Sequence, residues 1–357
     1  MTFSAALRGW ITAPRRVKVI GIAMTSPVFF CFHPNNWPSD EVVENKSGGT
    51  NHYFINTDWN WVLQTYLRLR ERGRPVVLAK ELPQEGIIVL CSGTVPLAYK
   101  PGPRQFLVSI NADEAPDVFA QMHITQNRIQ ARIMPDSHDV PHWPQPGLMK
   151  RDESRGASFS SLAYFGDDKN LAAELRTPRW SEFLASRAIA WHVRNAASQR
   201  NTDFTDIDAV IGVRSFQHSG YIRKPGSKLF NAWIAGVPAI LGRELAFREQ
   251  RQSELDYIEV GSFDETCAAI DRLAASPALR QAMIENGRRR AEEISVGRIT
   301  DRWEKLLFET AQDAAQRWFA RSAAGRERFF FRCLLEKKVR GASHRILRGI
   351  GREQYAI

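Results

Sequence analysis

Cysteine is scarce in this sequence: Cys31, Cys91, Cys267 and Cys333 lie far apart along 357 residues, with no CxxC pair. That spacing argues against zinc and against a secreted disulfide framework, and it fits a reducing cytoplasm. Long apolar runs are lacking too. The best stretch, Val19–Phe32, is broken by Thr25, Ser26 and Pro27, whereas a membrane span needs about 20 mostly apolar residues. Arg15, Arg16 and Lys18 stand before it as in a signal peptide, but no small-residue cleavage site follows. A first buried strand with a basic flank is the expectation. Three familiar fingerprints are absent: the GxxxxGK(S/T) loop, the GxGxxG turn and the GxSxG elbow. Their absence counts against a Walker-type NTPase, a standard dinucleotide enzyme and an α/β-hydrolase. No period of 20–50 residues repeats.

What is present is ordinary globular material. Hydrophobic residues make up 43% and charged residues 25%, and the length favours two domains. Net charge is +10, unevenly spread: from Gly325 to Ile357 there are nine Lys/Arg against three Glu. A uniformly basic nucleic-acid binder would spread its charge differently, so no nucleic-acid partner is expected.

Both halves alternate strands and helices. In the first, apolar runs at Val17–Ala23, Pro75–Ala79, Gly86–Cys91, Gln105–Asn111 and His123–Gln126 read as strands. Asp58 is placed to cap a helix over Trp59–Arg72, and a second helix is expected around Asp117–Ala120. Met134–Arg155, with four prolines and little periodicity, reads as the interdomain connection. The second half restarts with strands at Ser160–Phe165, Ala188–Val193, Ala209–Val213, Val237–Leu241 and Tyr257–Val260. Its helices begin at Asn170 and Trp180 and run over Ser227–Ala235, Phe263–Ala274, Pro277–Ile294 and Val296–Ala320. The fold class this implies is α/β, two doubly wound Rossmann-like domains facing a cleft. The expected division is 1–150, 151–320 and a basic amphipathic tail, 321–357.

The most informative segment is Tyr221–Gly242. Arg214, Arg223, Lys224 and Lys228 gather around Gly226 and Ser227 at a predicted helix start. Free N–H groups, the positive end of a helix dipole and charge-assisted contacts together suit a diphosphate. A solvated basic loop before a core helix is the alternative.

The run KLFNAWIAGVPAI, Lys228–Ile240, resembles the GT-B glycosyltransferase segment K-L-x-E-x-x-x-x-G-x-P-x-I. Tyr164-Phe165-Gly166 is similar to that family's first C-domain strand and its glycine turn. Val213-Arg214-Ser215 is similar to the strand end facing the diphosphate. The likeness covers roughly 160–310. A narrower one is to bacterial proteins of polysaccharide or lipid-linked glycan loci with a W-x-Q-P-G-L linker, here Trp143–Leu148. The resemblance implies a GT-B-like glycosyltransferase with an acceptor-side N-terminal domain and a nucleotide-sugar-binding C-terminal domain. Donor contacts would come from Gly166, Arg214, Ser215, Lys224, Ser227, Lys228 and Asn231. Asn231 departs from the pattern, since many members hold the donor ribose with a Glu there; Glu244 is a possible substitute. A Glu is also common at the position of Arg223.

Glycosyl transfer without a metal or other cofactor needs cations for the leaving diphosphate and, if inverting, a base on the acceptor hydroxyl. His52 and Asp113 are the candidate bases, with Glu114 beside Asp113; His123 reads as a packed structural histidine. His138 and His142 stand at i, i+4, but Pro141 argues against the helix a metal pair would need. The tail sets Phe329–Phe331, Leu334, Leu335, Ile346, Leu347 and Ile350 among basic residues. It suits either an anionic bilayer surface or docking as a terminal helix on the first domain. The resulting expectation is a cytoplasmic enzyme at the inner face of the cell membrane, acting on a nucleotide-sugar and a glycan or lipid-linked acceptor. A non-catalytic scaffold and a nucleotide-sugar 2-epimerase are the rivals.

Overall fold

A computed structural model of the chain describes residues 25–39, 56–195, 200–217 and 220–349. The expected strand Val17–Ala23 and the candidate base His52 lie outside them. The described strands form two sheets, every pairing parallel.

The first sheet holds β1 (Val28–Cys31), β2 (Val76–Ala79), β3 (Gly86–Cys91), β4 (Gln105–Ile110), β5 (Met122–Thr125) and β6 (Ser137–Asp139). Their order is β2-β1-β3-β4-β5-β6. β1 is interior, although the sequence shows it only as the end of a longer apolar run. Pro27 sets its start: the proline carbonyl accepts from Ile87 N at 2.9 Å, and Val28, Phe29 and Phe30 then pair on both sides. A π-helical turn, Trp59–Leu63, leads into α1 (Gln64–Glu71), and α2 (Arg128–Ile133) follows β5.

The second sheet holds β7 (Ser161–Phe165), β8 (Ala190–Arg194), β9 (Ala209–Gly212), β10 (Ala239–Leu241) and β11 (Ile258–Glu259), ordered β11-β10-β9-β7-β8. The helices around it are α3 (Pro178–Ala185), α4 (Ser227–Ala235), α5 (Leu245–Arg248), α6 (Phe263–Ala275) and α7 (Pro277–Ala291). Alternate residues of β7 enter two different cores. Leu162 and Tyr164 pack with α3 and α6, while Ala163 and Phe165 pack with α4. The sheet is thus wrapped on both sides, which is why its strands read as continuous apolar runs.

The chain then returns to the first sheet. α8 (Val296–Lys305), a π-helical turn (Leu306–Thr310), α9 (Ala311–Phe319) and α10 (Ala323–Gly349) complete it. Ile299, Trp303, Leu307, Ala315, Trp318, Phe329 and Phe330 share one core with Phe30, Val89 and Val108 of the first sheet and Trp61 and Leu67 of its own helix. The 151–320 unit expected from sequence therefore contains helices that pack on the other lobe. The opposite face, Cys31, Ile88, Leu90 and Leu107, is covered by Val95, Tyr99 and Ala120 from loops.

Three local expectations are corrected. Asp58 does not cap its helix: its Oδ2 accepts from His33 N (3.1 Å) and Asn36 Nδ2 (2.8 Å), and Asn56 takes the Trp59 N–H instead. Asp117–Ala120 is a turn, because buried Asp117 is spent on Gly93 N (3.1 Å) and Ser109 Oγ (2.8 Å). The connection read over 134–155 begins inside the first sheet, since Ser137–Asp139 pairs with β5. Trp143 in that connection is buried, its indole N–H donating to Thr65 Oγ1 at 3.1 Å.

In each sheet the strand order reverses once, between β1 and β3 and between β7 and β9. Ligands of open parallel sheets bind beyond the carboxyl ends at such points. Trp303→Ala should cost about 3–5 kcal/mol by core truncation. In hydrogen exchange, protection should fall across β1–β6 while β7–β11 stay protected.

Candidate active site

The reversal point of the second sheet is built from glycines. β7 is followed by Gly166, whose φ of +147° favours glycine, and an added Cβ would meet the Tyr164 side chain at 3.1–3.2 Å. β9 ends at Gly212, where a Cβ would come within 2.5 Å of Leu241 and 3.3 Å of the Lys228 stem. That missing side chain leaves the path along which Lys228 reaches the strand ends. α4 starts at Ser227 after Gly226, and no side chain of its N-cap residue takes up its first N–H groups.

These parts border a cavity of about 600 Å³, lined by Gly166, Ser227, Lys228 and Asn231, with Trp143 and Gln145 from the connection closing it. Lys228 Nζ lies 5.2 Å over the Tyr164 ring. Burial first, then the neighbouring Arg214 guanidinium, pull its ammonium down to about 7, against the opposing pull of Glu244. Glu244 is not the exposed loop residue its sequence context suggests. It is buried and accepts from Arg214 Nε at 3.0 Å. Arg214 and Glu244 thus form a pair set behind Lys228.

The other expected residues divide. Lys224 Nζ is 2.7 Å from Asp113 Oδ2, so a cation assigned to the donor and a carboxylate assigned to the acceptor side grip each other across the cleft. The clasp continues beside them: Asn127 Nδ2 donates to Ile222 O (2.7 Å) and Gln126 Nε2 to Arg223 O (2.9 Å). Asn231 Nδ2 donates to Gln145 Oε1 at 2.8 Å, and Ser215 Oγ accepts from Gln217 N at 3.1 Å. His123 is buried beside Asn111, and burial lowers it to about 3; it is a core histidine, as read.

His142, which the sequence offers only as half of a metal pair, lines the same cavity. Its Nδ1 is 2.8 Å from Trp143 O; a carbonyl only accepts, so Nδ1 carries the proton and Nε2 is the basic nitrogen. Burial holds it neutral. The signal available in the sequence was its place beside the Trp143-to-Leu148 linker. Among the described residues no group of three or more His, Cys, Asp or Glu is placed to hold a metal ion.

A second cavity of about 560 Å³ opens at the β1/β3 reversal point, lined by His33, Asn36, Asp58, Asn111, Glu114 and Asp117 among others. Burial raises the Asp117 carboxyl, against the N–H of Gly93 and the Ser109 hydroxyl. No Lys or Arg stands among its described lining residues.

Two parallel sheets with facing reversal points define the class: this is the GT-B glycosyltransferase fold. Sucrose-phosphate synthase from Thermosynechococcus elongatus is similar with a TM-score of 0.51 at 11% identity, covering 79% of this chain and 98% of that one. HepE from Anabaena in complex with UDP matches at 0.45 and 12% identity, over 79% of this chain and 99% of its own. AviGT4, a glycosyltransferase involved in avilamycin A biosynthesis, matches at 0.45 and 14%, over 83% and 98%. No family model and no curated protein matches the sequence.

The Lys228 ammonium should titrate in NMR near the value of about 7 given by its surroundings. Glu244→Gln removes the stronger of the two carboxylates that support it, Asp113 being the other, so the midpoint should fall further; an unchanged or higher midpoint would contradict the arrangement.

Proposed function

We propose that this chain is a glycosyltransferase that moves a sugar from a nucleotide-sugar donor to a glycan or lipid-linked acceptor, without a metal or other cofactor. The observation that carries this is Lys228 under the uncapped start of α4, in a cavity at the β7/β9 reversal point. As the bond from the anomeric carbon to the diphosphate breaks, negative charge grows on the leaving oxygen. Lys228, the α4 N–H groups and Ser227 meet that charge, Gly166 lets the donor approach the backbone, and the Arg214 guanidinium adds positive potential from behind. An incoming diphosphate competes with Asp113 for Lys224, which frees Asp113 on the acceptor side. The acceptor hydroxyl attacks the anomeric carbon and gives up its proton; Asp113, His52 and His142 are the candidate bases.

Carboxylates and amides line the first-lobe cavity, so neutral sugar hydroxyls rather than phosphates suit the part of the acceptor held there. Polysaccharide assembly in the cytoplasm, at the inner face of a cell membrane, fits such an acceptor, with the basic segment 325–357 meeting an anionic surface. The bond between Asn231 and Gln145 favours one second reading, a scaffold that no longer takes a donor, because it occupies the amide expected to hold the ribose. An epimerase is less suited: Asp167 is the one carboxylate among the described lining residues of the donor cavity.

The test is titration with a panel of nucleoside diphosphates and turnover of the matching nucleotide-sugars. Lys228→Ala should weaken diphosphate binding on the order of tenfold to a hundredfold and abolish turnover. Failure of every nucleotide to bind supports the scaffold instead. Because the free ammonium titrates near about 7, binding above that pH must take up a proton. Affinity should therefore hold below neutrality down to where the phosphate itself titrates, and fall by up to about tenfold per pH unit above it. Lys228→Ala should flatten that slope.

A further inference from the structure

We propose that the outward face of α10 is a docking surface for an anionic lipid bilayer. Of the nine large apolar side chains exposed among the described residues, five lie on this helix: Phe331, Leu334, Leu335, Val339 and Ile346. At 100° per residue, Phe331, Leu335, Ala342 and Ile346 fall opposite Phe329, Phe330 and Cys333. The latter three are buried against the first lobe, Phe330 meeting Phe119 at 5.3 Å and Phe329 meeting Trp318 at 5.1 Å between ring centroids. One face docks on the protein, and the other presents apolar side chains to solvent.

The helix is also strongly cationic. Residues 323–349 hold eight Lys/Arg and two Glu. Both acids are engaged toward the body or along the helix: Glu327 with Lys100 at 3.5 Å, and Glu336 with Arg332, which also reaches Asp136 at 3.0 Å. Arg328, Lys338 and Arg345 flank the outward apolar row, and no carboxylate among the described residues pairs with them. A second copy would set two such cationic rims against each other. An anionic bilayer answers both features at once, taking the apolar row between headgroups and the rim onto phosphates. The helix lies along the surface, since no described helix is long and apolar enough to cross a membrane. Arg340 on the inward side is close enough to His123 and Arg223 to bear on their charge, so the surface borders the interlobe clasp.

This deepens the membrane part of the proposed function and does not depend on the donor chemistry. The test is co-sedimentation of the full chain with phosphatidylcholine vesicles, pure or carrying phosphatidylglycerol at roughly 1:3. The chain should pellet with the anionic vesicles only, and release should follow added salt. Phe331→Glu with Leu335→Glu, and separately Lys338→Glu with Arg345→Glu, should each lower the partition by on the order of tenfold or more. Both pairs are exposed, so circular dichroism and diphosphate binding should be unchanged. A wild-type chain that stays in the supernatant overturns the proposal, as do variants that pellet like it. So does a dimer in light scattering that Phe331→Glu with Leu335→Glu dissolves while vesicles are ignored. Absence of nucleotide binding would overturn the donor reading and leave the vesicle result standing.

Discussion

A parallel strand buries both of its faces, and the described residues of the first lobe bring too little helix of their own to satisfy that demand. α1 and its π-helical entry are the main local cover, and the sheet they serve has six strands. The deficit is met by α8, α9 and α10 from the far end of the chain, which place Trp303, Trp318 and Phe330 in the same core as Phe30 and Val108. Everything else about the cleft follows. The return path ties the helices from Val296 onward to the lobe that holds β1, and the contacts of Asn127 and Gln126 hold the other lobe against it. Each set of strand ends then opens onto its own cavity, and the Lys224–Asp113 pair bridges the two lobes.

Across these cavities the electrostatics are concentrated on one side. The second lobe carries Lys228, Arg214 and Lys224, and the first lobe answers with Asp113, Asp58 and Asp117. The buried Arg214–Glu244 pair matters for where its charges leave Lys228. A guanidinium beside an ammonium raises the cost of the second cation, and a carboxylate beside both lowers it. The balance leaves an amine poised at neutrality, able to gain its proton as an anion arrives.

Much of this was legible from residue order. Continuous apolar runs located β3, β4, β7 and β9, and the Ser227–Ala235 helix was read with the bounds it has. Gly166, Ser227, Lys228 and Asn231 were read as one site and line one cavity. What was not legible depends on contacts distant in sequence. Asp58 carries every local sign of a cap, but His33 and Asn36 claim it; Glu244 sits in a polar loop by composition and is buried by Arg214. β6 is three residues among prolines, too short to show a period, and exists because β5 offers an edge. No local pattern reveals that Val296–Phe319 belongs with residues some two hundred positions earlier; only for the tail beyond is docking on the first domain one of the readings.

That return has a consequence for synthesis. A ribosome delivers the first sheet early, but the side chains that close its core arrive only with the last helices. The second lobe, whose cover is contiguous in the chain, can be complete while the first still shows Phe30, Val89 and Val108 to its surroundings. The second lobe can therefore be complete first, while β1, β3 and β4 wait for their cover from helices made much later.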